Sequence, residues 1–207
     1  MYVPPAFRES DLPALHAAMR DARRANFVTA TEEGLVATLL PLFLVPEEGA
    51  FGTLYGHIAR ANAQWMLPPK GDAMALFTGA DAYISPSWYA SKQEHGKVVP
   101  TWNYLAVHAY GQAEFFDDPD RLLEVVTQLT NLHEVLRTAP WAVADAPESY
   151  IRAQLRGIVG LRMQITRIEG SRKMSQNRSA QDRIGVAAGL AASDRMTDRD
   201  VAALIPT

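Results

Sequence analysis

The segment GHIARANAQW, residues 56–65, combines side chains that bind anions. His57, Arg60 and Asn62 stand where a predicted strand passes into a helical turn, and the free amides and partial positive charge of such a turn favour an anion. Arg forms two parallel hydrogen bonds to a phosphate, and His and Asn add directional donors. The spacing therefore predicts a phosphate site, while a solvated Arg60 and a helix-capping Asn62 remain the alternative interpretation.

Aromatic and short polar residues are mixed in AYISPSWY, residues 82–89, and in TWNY, residues 101–104. Tyr and Trp combine a flat apolar face with one polar group, so they can sandwich a planar conjugated ligand and still hydrogen-bond its rim. Packing in the core or at a dimer interface is the alternative interpretation of Trp88 and Trp102. The candidate rim groups are Ser85, Ser87, Thr101 and Asn103.

A third polar cluster follows a predicted strand in GSRKMSQNR, residues 170–178. Its side chains, which include Lys173 and Gln176, either close over a bound ligand or cap the next helix. The surrounding residues 162–183 hold six basic and two acidic side chains. An anionic ligand group explains this local excess of positive charge more simply than a DNA backbone does.

Several other chemistries lack their usual residues. The chain has no cysteine, which excludes disulfides, thiolate metal sites and cysteine nucleophiles. It has no Walker loop, no dinucleotide-binding GxGxxG and no GxSxG nucleophile motif. No metal is expected, because metal-ligand spacing is absent among the histidines His16, His57, His95, His108 and His133.

The elements that would position these residues are mostly short strands. Ser10 is expected to cap a first helix, with Pro13 in its first turn. NFVTAT and LVATLLPLFLV predict a β-hairpin with an acidic turn, in which Pro41 indicates a bulge or an edge. Further strands are predicted at residues 51–58, 73–78, 102–116 and 158–170.

Helices are predicted around and after these strands. The clearest covers residues 117–137, where Asp118 caps the helix and Pro119 occupies its first position. Shorter ones are expected at residues 149–156 and in the tail 177–192. This order of elements favours a mainly β, α+β fold: an antiparallel barrel with flanking helices.

Length and composition limit the remaining possibilities. A chain of 207 residues with 48% hydrophobic residues predicts a single domain over residues 1–207, with a helical tail from about residue 177. Neither a signal peptide nor an apolar run of about 18 residues is present, so a cytoplasmic protein without membrane contact is expected. A net charge of -3 argues against a dedicated nucleic-acid binder.

Four ordered motifs resemble the PaiB family, known as FMN-binding negative transcriptional regulators. They are MYVPPAF, GHIARAN, AYISPSWY followed by KVVPTWNYLAVHAYG, and KMSQNR. The resemblance implies a six-stranded antiparallel FMN-binding split barrel with flanking helices, related to the pyridoxamine phosphate oxidases. It also implies a homodimer with FMN sites built at the interface from both chains.

The resemblance also implies the residues that bind FMN. His57, Arg60 and Asn62 match the phosphate or ribityl contacts, although Ala63 replaces the proline of the family's usual GHIARANPQ. The other matched positions, which would line the flavin ring or reach its edge, are Tyr83, Ser85, Trp88, Lys92, Trp102, Asn103, Tyr104, Lys173 and Gln176.

Three functions follow from the resemblance. The family name implies a regulator that binds DNA, yet the sequence has no helix-turn-helix with a basic recognition helix. The alternative is an FMN-dependent oxidoreductase of the flavin reductase or pyridoxamine phosphate oxidase type, so the sequence leaves open whether the protein is an enzyme. Haem binding or degradation, known for some split-barrel relatives, is a third hypothesis.

Overall fold

A computed structural model describes residues 1–207 and divides them into two compact units. The first unit consists of Met1–Ala18, Thr78–Val107 and Glu169–Thr207. The second unit consists of Met19–Phe77 and His108–Ile168. The single domain over residues 1–207 stays a prediction.

Six strands supply the sheet of the second unit, all paired antiparallel where their register is defined. Neighbouring strands follow the order β5, β2, β3, β4, β8 and β7. Their bounds are β2 Arg24–Thr31, β3 Gly34–Val45, β4 Thr53–Ala59, β5 Ala73–Ile84, β7 Ala113–Phe116 and β8 Ile158–Gln164. Strand β5 continues beyond Phe77 into the first unit.

The predicted hairpin is present as β2 and β3, which are joined by a tight turn with Thr31 opposite Gly34. Pro41 lies where β3 changes partner: it is the last β3 residue paired with β2, and Leu42 is the first paired with β4. Proline has no N–H to donate, so it is tolerated where a ladder ends. The sequence predicted a bulge or an edge at Pro41; the structure has Pro41 within a continuous β3, at the end of the ladder with β2.

Two helices of the second unit, α3 (Pro119–Glu134) and α4 (Glu148–Leu155), cover one face of its sheet. Asp118 caps α3 by accepting a hydrogen bond from the amide of Arg121 at 2.9 Å, as the sequence predicts. Their buried contacts form one apolar cluster because α3 carries apolar residues at helical spacing. The cluster comprises Phe43, Phe116, Leu122, Val125, Leu129 and Leu155.

The first unit contains the strand β1 (Arg8–Glu9), the second half of β5, the part of β6 (Thr101–Gly111) up to Val107 and the part of β9 (Arg167–Lys173) from Glu169. The helices α2 (Ser91–His95), α5 (Ala180–Ala191) and α6 (Met196–Leu204) belong to it, and α1 (Leu12–Ala22) begins in it. In its core, residues at the end of β5 pack against residues of α5 and α6. The buried residues are Ala82, Ile84, Tyr89, Met174, Val186, Leu190, Val201 and Ile205.

Three local predictions need correction. Asp11, and not Ser10, caps α1, since its carboxylate accepts from the Ala14 amide at 3.0 Å. The long strand predicted over residues 102–116 is divided after Gly111, where an added Cβ would lie 2.0 Å from the carbonyl oxygen of Gln164. The strand predicted over residues 158–170 is likewise divided, into β8 and β9.

The fold class expected from the sequence, an antiparallel sheet with flanking helices, is confirmed. The structure has nine strands where the resemblance implied six, because two long predicted strands are divided and a two-residue β1 is added. None of the six α-helices is both long enough and apolar enough to cross a bilayer.

Candidate functional site

Strand β4 carries His57 on the sheet face that the helices of the second unit cover. Leu54 and Ile58 are buried on the opposite face, because successive side chains of a strand point to opposite sides. The Nδ1 atom of His57 is buried and has no hydrogen-bond partner. Burial lowers the pKa of His57, so the imidazole is neutral near pH 7.

His57 lines a cavity of about 270 Å³, here called the His57 cavity. Strands β4 and β8 contribute His57 and Ile158, while α3, α4 and the segment before α4 supply the remaining walls. No acidic or basic side chain lines it apart from the neutral imidazole. The other lining residues are Val126, Thr130, Trp141, Val143, Tyr150, Ile151, Gln154 and Leu155.

Arg60 lies just beyond β4 and lines a different cavity, of about 230 Å³, together with Arg152 and Arg156. We call it the arginine cavity; its other lining residues are Asp117, Pro119, Leu122 and Leu155. The Nε atom of Arg60 donates to the carbonyl of Arg156 at 2.8 Å, and a terminal nitrogen donates to that of Ile158 at 3.2 Å. A longer ion pair of 3.5 Å joins Arg60 to Asp117.

These contacts orient the guanidinium of Arg60 without using all of its donors. The group has five N–H donors, and the three bonds to Arg156, Ile158 and Asp117 leave two for an anion. The side chain is 37% exposed, so a ligand can reach it. Sequence reasoning placed His57 and Arg60 in one phosphate site, but the structure puts them in different cavities.

Asn62 performs the capping role that the sequence left as an alternative. Its side-chain oxygen accepts from the Gln64 amide at 2.9 Å, at the start of a 3₁₀ turn, and its amide group donates to Thr38 at 2.9 Å. The side chain of Gln64 is buried and bonds Thr38, Thr29 and the carbonyl of Phe27. Gln64, which no sequence signal singled out, anchors this turn to the β2–β3 hairpin.

In the first unit, Tyr83 of β5 and Trp102 of β6 form an exposed aromatic pair. Their rings meet edge to face with centroids 6.2 Å apart, and the two residues are 47% and 50% exposed. Tyr104, half-buried, follows on the same face of β6 as Trp102. Among the predicted ring-binding residues, this pair presents the largest free aromatic surface.

Trp88 serves packing instead. An added Cβ on Gly189 of α5 would lie 2.5 Å from the indole ring of Trp88, so the tryptophan lies directly against that helix. Ser85 caps the short 3₁₀ turn that contains Trp88, by accepting from the Ser87 amide at 3.2 Å. Lys92 is exposed in α2, a short helix of five residues.

The KMSQNR segment folds into a tight turn between β9 and α5. Gln176 accepts from the Met174 amide at 2.6 Å and donates to the carbonyl of Arg172, so its side chain closes the turn. Ser175 has a positive φ of 59°. This left-handed backbone conformation is uncommon for residues other than glycine, so surrounding contacts must stabilise it. Its hydroxyl is held by the buried Asn103 at 3.0 Å.

Lys173 stands beside this turn and donates to the hydroxyl of Thr101 at 2.5 Å. Its ammonium group is 5.7 Å from the centroid of the Phe7 ring. Burial, together with the positive charge of Arg178, lowers the pKa of Lys173. Lys173 is thus a partly buried cation near Asn103 and Ser175, and the structure brings these predicted residues together.

Two charged residues that the sequence analysis did not single out connect the C-terminal segment to residues 89–91. Asp182 of α5 is buried and accepts from both the amide and the hydroxyl of Ser91, at 3.0 and 2.9 Å. Burial alone raises the pKa of Asp182, but these bonds outweigh it and the pKa is lowered. Arg178 lies over the ring of Tyr89, 4.7 Å from its centroid. Both partners are far away in sequence, so no local pattern marks them.

Comparison with known proteins identifies the class to which this fold and these residues belong. Residues 1–167 match the family described as "Putative FMN-binding domain", and the chain belongs to that family. The resemblance to the PaiB proteins and the expected cofactor, FMN, are thereby confirmed.

Among individual relatives, the chain is 32% identical over 187 residues to "Protease synthase and sporulation protein PAI 2" of Bacillus subtilis. The match covers 90% of this chain and 87% of that protein. An uncharacterized protein of Aspergillus fumigatus is also 32% identical, with 91% of this chain and 90% of that protein covered.

Solved structures share the fold at low sequence identity. An FAD and heme binding protein from Mycobacterium smegmatis superimposes with a TM-score of 0.59 at 15% identity, covering 88% of this chain and 80% of that one. A conserved hypothetical protein from Mycobacterium tuberculosis gives a TM-score of 0.56 at 12% identity, covering 83% and 90%. Likeness at this level of identity establishes the fold alone.

The arginine cavity of the second unit fits the phosphate of FMN, because it offers uncommitted N–H donors. In the first unit, taken by itself, the Tyr83–Trp102 pair is an exposed aromatic surface of the kind that packs against a planar ring. The His57 cavity contains no cation and is poorly suited to a phosphate. The contacts of individual residues with FMN stay predictions.

The burial of His57 predicts a pH-dependent stability. Because its pKa is lowered from 6.5, the unfolded chain binds a proton there more readily than the folded chain does. The free energy of unfolding should therefore fall as the pH drops below about 6.5, and His57→Phe should remove this part of the fall. Urea denaturation from about pH 8 to pH 5 measures the effect. Replacement of His133 by Phe is the control, and identical pH profiles for wild type and His57→Phe would contradict the prediction.

Proposed function

We propose that this protein is an FMN-binding regulator of the PaiB type that works as a homodimer. The observation that carries the FMN-binding part is the arginine cavity, where backbone carbonyls orient Arg60 and leave two of its donors free. The regulatory part rests on the 32% identical Bacillus relative, whose name connects it with protease synthesis and sporulation. When bound, FMN supplies reversible hydride acceptance, which lets a protein respond to a redox change.

The phosphate of FMN is proposed to bind Arg60. Two parallel N–H bonds from one guanidinium match the geometry of a phosphate, and the neighbouring Arg152 and Arg156 add positive charge. Arg152 is also paired with Glu148, and Arg156 donates to the carbonyl of Arg152. Each of these two arginines therefore already uses some of its N–H donors within the protein. Arg60 is therefore the principal phosphate contact in this proposal.

Within the first unit, the exposed aromatic pair is proposed as a surface for a planar ring. Tyr83 and Trp102 present flat surfaces to solvent, while Trp88 is occupied by its contact with α5. Lys173 at the end of β9 donates to Thr101 at the start of β6, the strand that also carries Trp102. An aromatic surface on a strand with such polar groups suits a ring with a hydrogen-bonding rim.

A dimer is proposed through an apolar face of the second unit's sheet. Residues opposite one another in β2, β3 and β5 share this face, including the pairs Val28 with Ala37 and Val28 with Met74. Leu35 is 78% exposed and Leu39 is 53% exposed, which is unusual for two large apolar residues on one strand face. The apolar residues of the face are Val28, Ala30, Leu35, Ala37, Leu39, Met74 and Leu76, and the polar Asn26 lies opposite Leu39 and Leu76.

An oxidoreductase is the second candidate, because one helix argues against DNA binding. Helix α6, the last of the C-terminal pair, carries Asp198 and Asp200 against a single Arg199. A recognition helix with net negative charge would be repelled by phosphates. Anaerobic addition of NADH or NADPH to the FMN-loaded protein tests this candidate, and bleaching of the flavin absorption would support it.

Replacement of Arg60 by Ala should weaken FMN binding. Loss of hydrogen bonds to a charged phosphate costs about 1.5–3 kcal/mol, so the dissociation constant should rise at least tenfold. Titration of flavin fluorescence measures it. The control is Arg121→Ala, which removes a similarly exposed arginine of the second unit that pairs with Glu114. Unchanged affinity in the Arg60 variant would mean that the phosphate binds elsewhere.

Replacement of Leu39 by Asp should convert the dimer into a monomer. A carboxylate on this face would be taken out of water when the dimer forms, and no cation directly opposite position 39 would compensate it, because that residue is Asn26. Size-exclusion chromatography with light scattering reports the mass of each variant. Leu132→Asp alters an equally exposed leucine of α3 outside the face and should leave the dimer intact. A Leu39 variant that remains dimeric would rule out this face as the interface.

The regulator should bind promoter DNA of its own operon in a manner that depends on FMN. Gel-shift assays at moderate salt, with and without FMN, test this, because non-specific binding weakens as salt rises. Arg60→Ala should make the result insensitive to added FMN. Absence of binding in both states would remove the regulatory proposal and leave the FMN-binding conclusion untouched.

A further inference from the structure

The His57 cavity contains a polar atom that nothing in the chain satisfies. Nδ1 of His57 is buried beneath the helices of the second unit and makes no hydrogen bond. Buried polar groups in native proteins are nearly always paired, since leaving one unpaired costs free energy. A ligand that supplies the missing hydrogen bond would remove this cost.

The chemistry of the walls limits what such a ligand can be. The ten lining residues include no Asp, Glu, Lys or Arg. Burial also keeps the imidazole neutral by lowering the pKa of His57. A charged ligand would lose its hydration without gaining a counter-ion, so an uncharged one is favoured.

The shape of the cavity favours an aromatic ring. Trp141 and Tyr150 line it and are 46% and 56% exposed, so two aromatic side chains border both the cavity and solvent. Val143 and Leu155 form a buried apolar part of the wall. Its volume of about 270 Å³ is enough for one substituted ring.

We propose that the His57 cavity binds an uncharged single-ring aromatic compound whose hydroxyl group is hydrogen-bonded to Nδ1 of His57. A hydroxyl both donates and accepts, so it satisfies either neutral tautomer of the imidazole. The proposal does not rest on FMN binding, because the phosphate contact proposed above lies in the arginine cavity. The two cavities share Leu155 as a wall, but the proposed hydrogen bond to His57 and the proposed phosphate contact of Arg60 use different side chains.

Phenol and toluene form the test pair, because they have nearly the same shape and differ in the hydroxyl. Imidazole ¹⁵N signals of the full chain are followed by NMR, and the His57 signals are assigned by their loss in His57→Phe. Phenol should shift them saturably at millimolar concentration. Toluene should bind about fivefold more weakly, the factor expected for one neutral hydrogen bond.

Variants separate this site from the FMN site. His57→Phe keeps a ring of similar size and should lower the affinity for phenol to that for toluene, whereas His133→Phe, on α3 outside the cavity, should leave phenol binding unchanged. Because His57→Phe lacks the His57 signals, phenol binding to the variants is measured by ligand-observed NMR titration. Arg60→Ala should weaken FMN binding without changing phenol binding. The melting temperature of each variant verifies that it is folded.

Three results would overturn the proposal. The first is an absence of any phenol-dependent shift of the His57 signals in folded wild-type protein. The second is equal affinity for phenol and toluene, which would mean that Nδ1 makes no bond to the ligand. The third is displacement of FMN by phenol, which would make the cavity part of the flavin site; none of these results bears on whether Arg60 holds the phosphate.

Discussion

The alternation of side chains along β4 is the constraint on which the second unit depends. Pairing with β3 on one side and β8 on the other fixes the strand's orientation. Leu54 and Ile58 are then buried on one face, while Tyr55 and His57 point to the face covered by α3 and α4. A register slip of one residue would exchange these faces. The buried imidazole is therefore a consequence of strand pairing and not of a local loop conformation.

The first unit depends on contacts between its C-terminal helices and the connection from β5 to β6. Trp88 lies against Gly189, and Asp182 holds the first residue of α2, Ser91. These contacts bury one face of the aromatic segment and leave the face with Tyr83 and Trp102 open. Aromatic residues that look alike in sequence thus have two different roles, packing and exposed surface.

Local elements were predictable because their determinants are local. The cap at Asp118, the proline after it and the apolar spacing specify α3 without reference to the rest of the chain. The hairpin of β2 and β3 is specified by its own alternation and turn. The family motifs predicted the cofactor FMN and the fold class for a different reason: they reflect similarity to related proteins and not the local chemistry of this chain.

The candidate site was less predictable because its partners are remote in sequence. Arg60 is oriented by the carbonyls of Arg156, which follows α4, and of Ile158, which begins β8. His57 faces α3 and α4, and the sequence alone did not predict that these helices pack against β4. Gln64 and Asp182 also act through hydrogen bonds to residues far away in sequence. Spacing identified candidate residues, while tertiary contacts decide which of them line the same cavity.

The change of partner at Pro41 has a consequence for the order of folding. Strands β2, β3 and β4 form a meander of consecutive pairings, so only short loops need to close before they associate. Strand β8 must return from much later in the chain to pair with β4, at Thr53 with Gln164 for example. Long-range pairing of this kind is slow. We expect the meander to form first, with β4 exposed as an unpaired edge until β8 arrives, a stage at which the chain is most prone to aggregate.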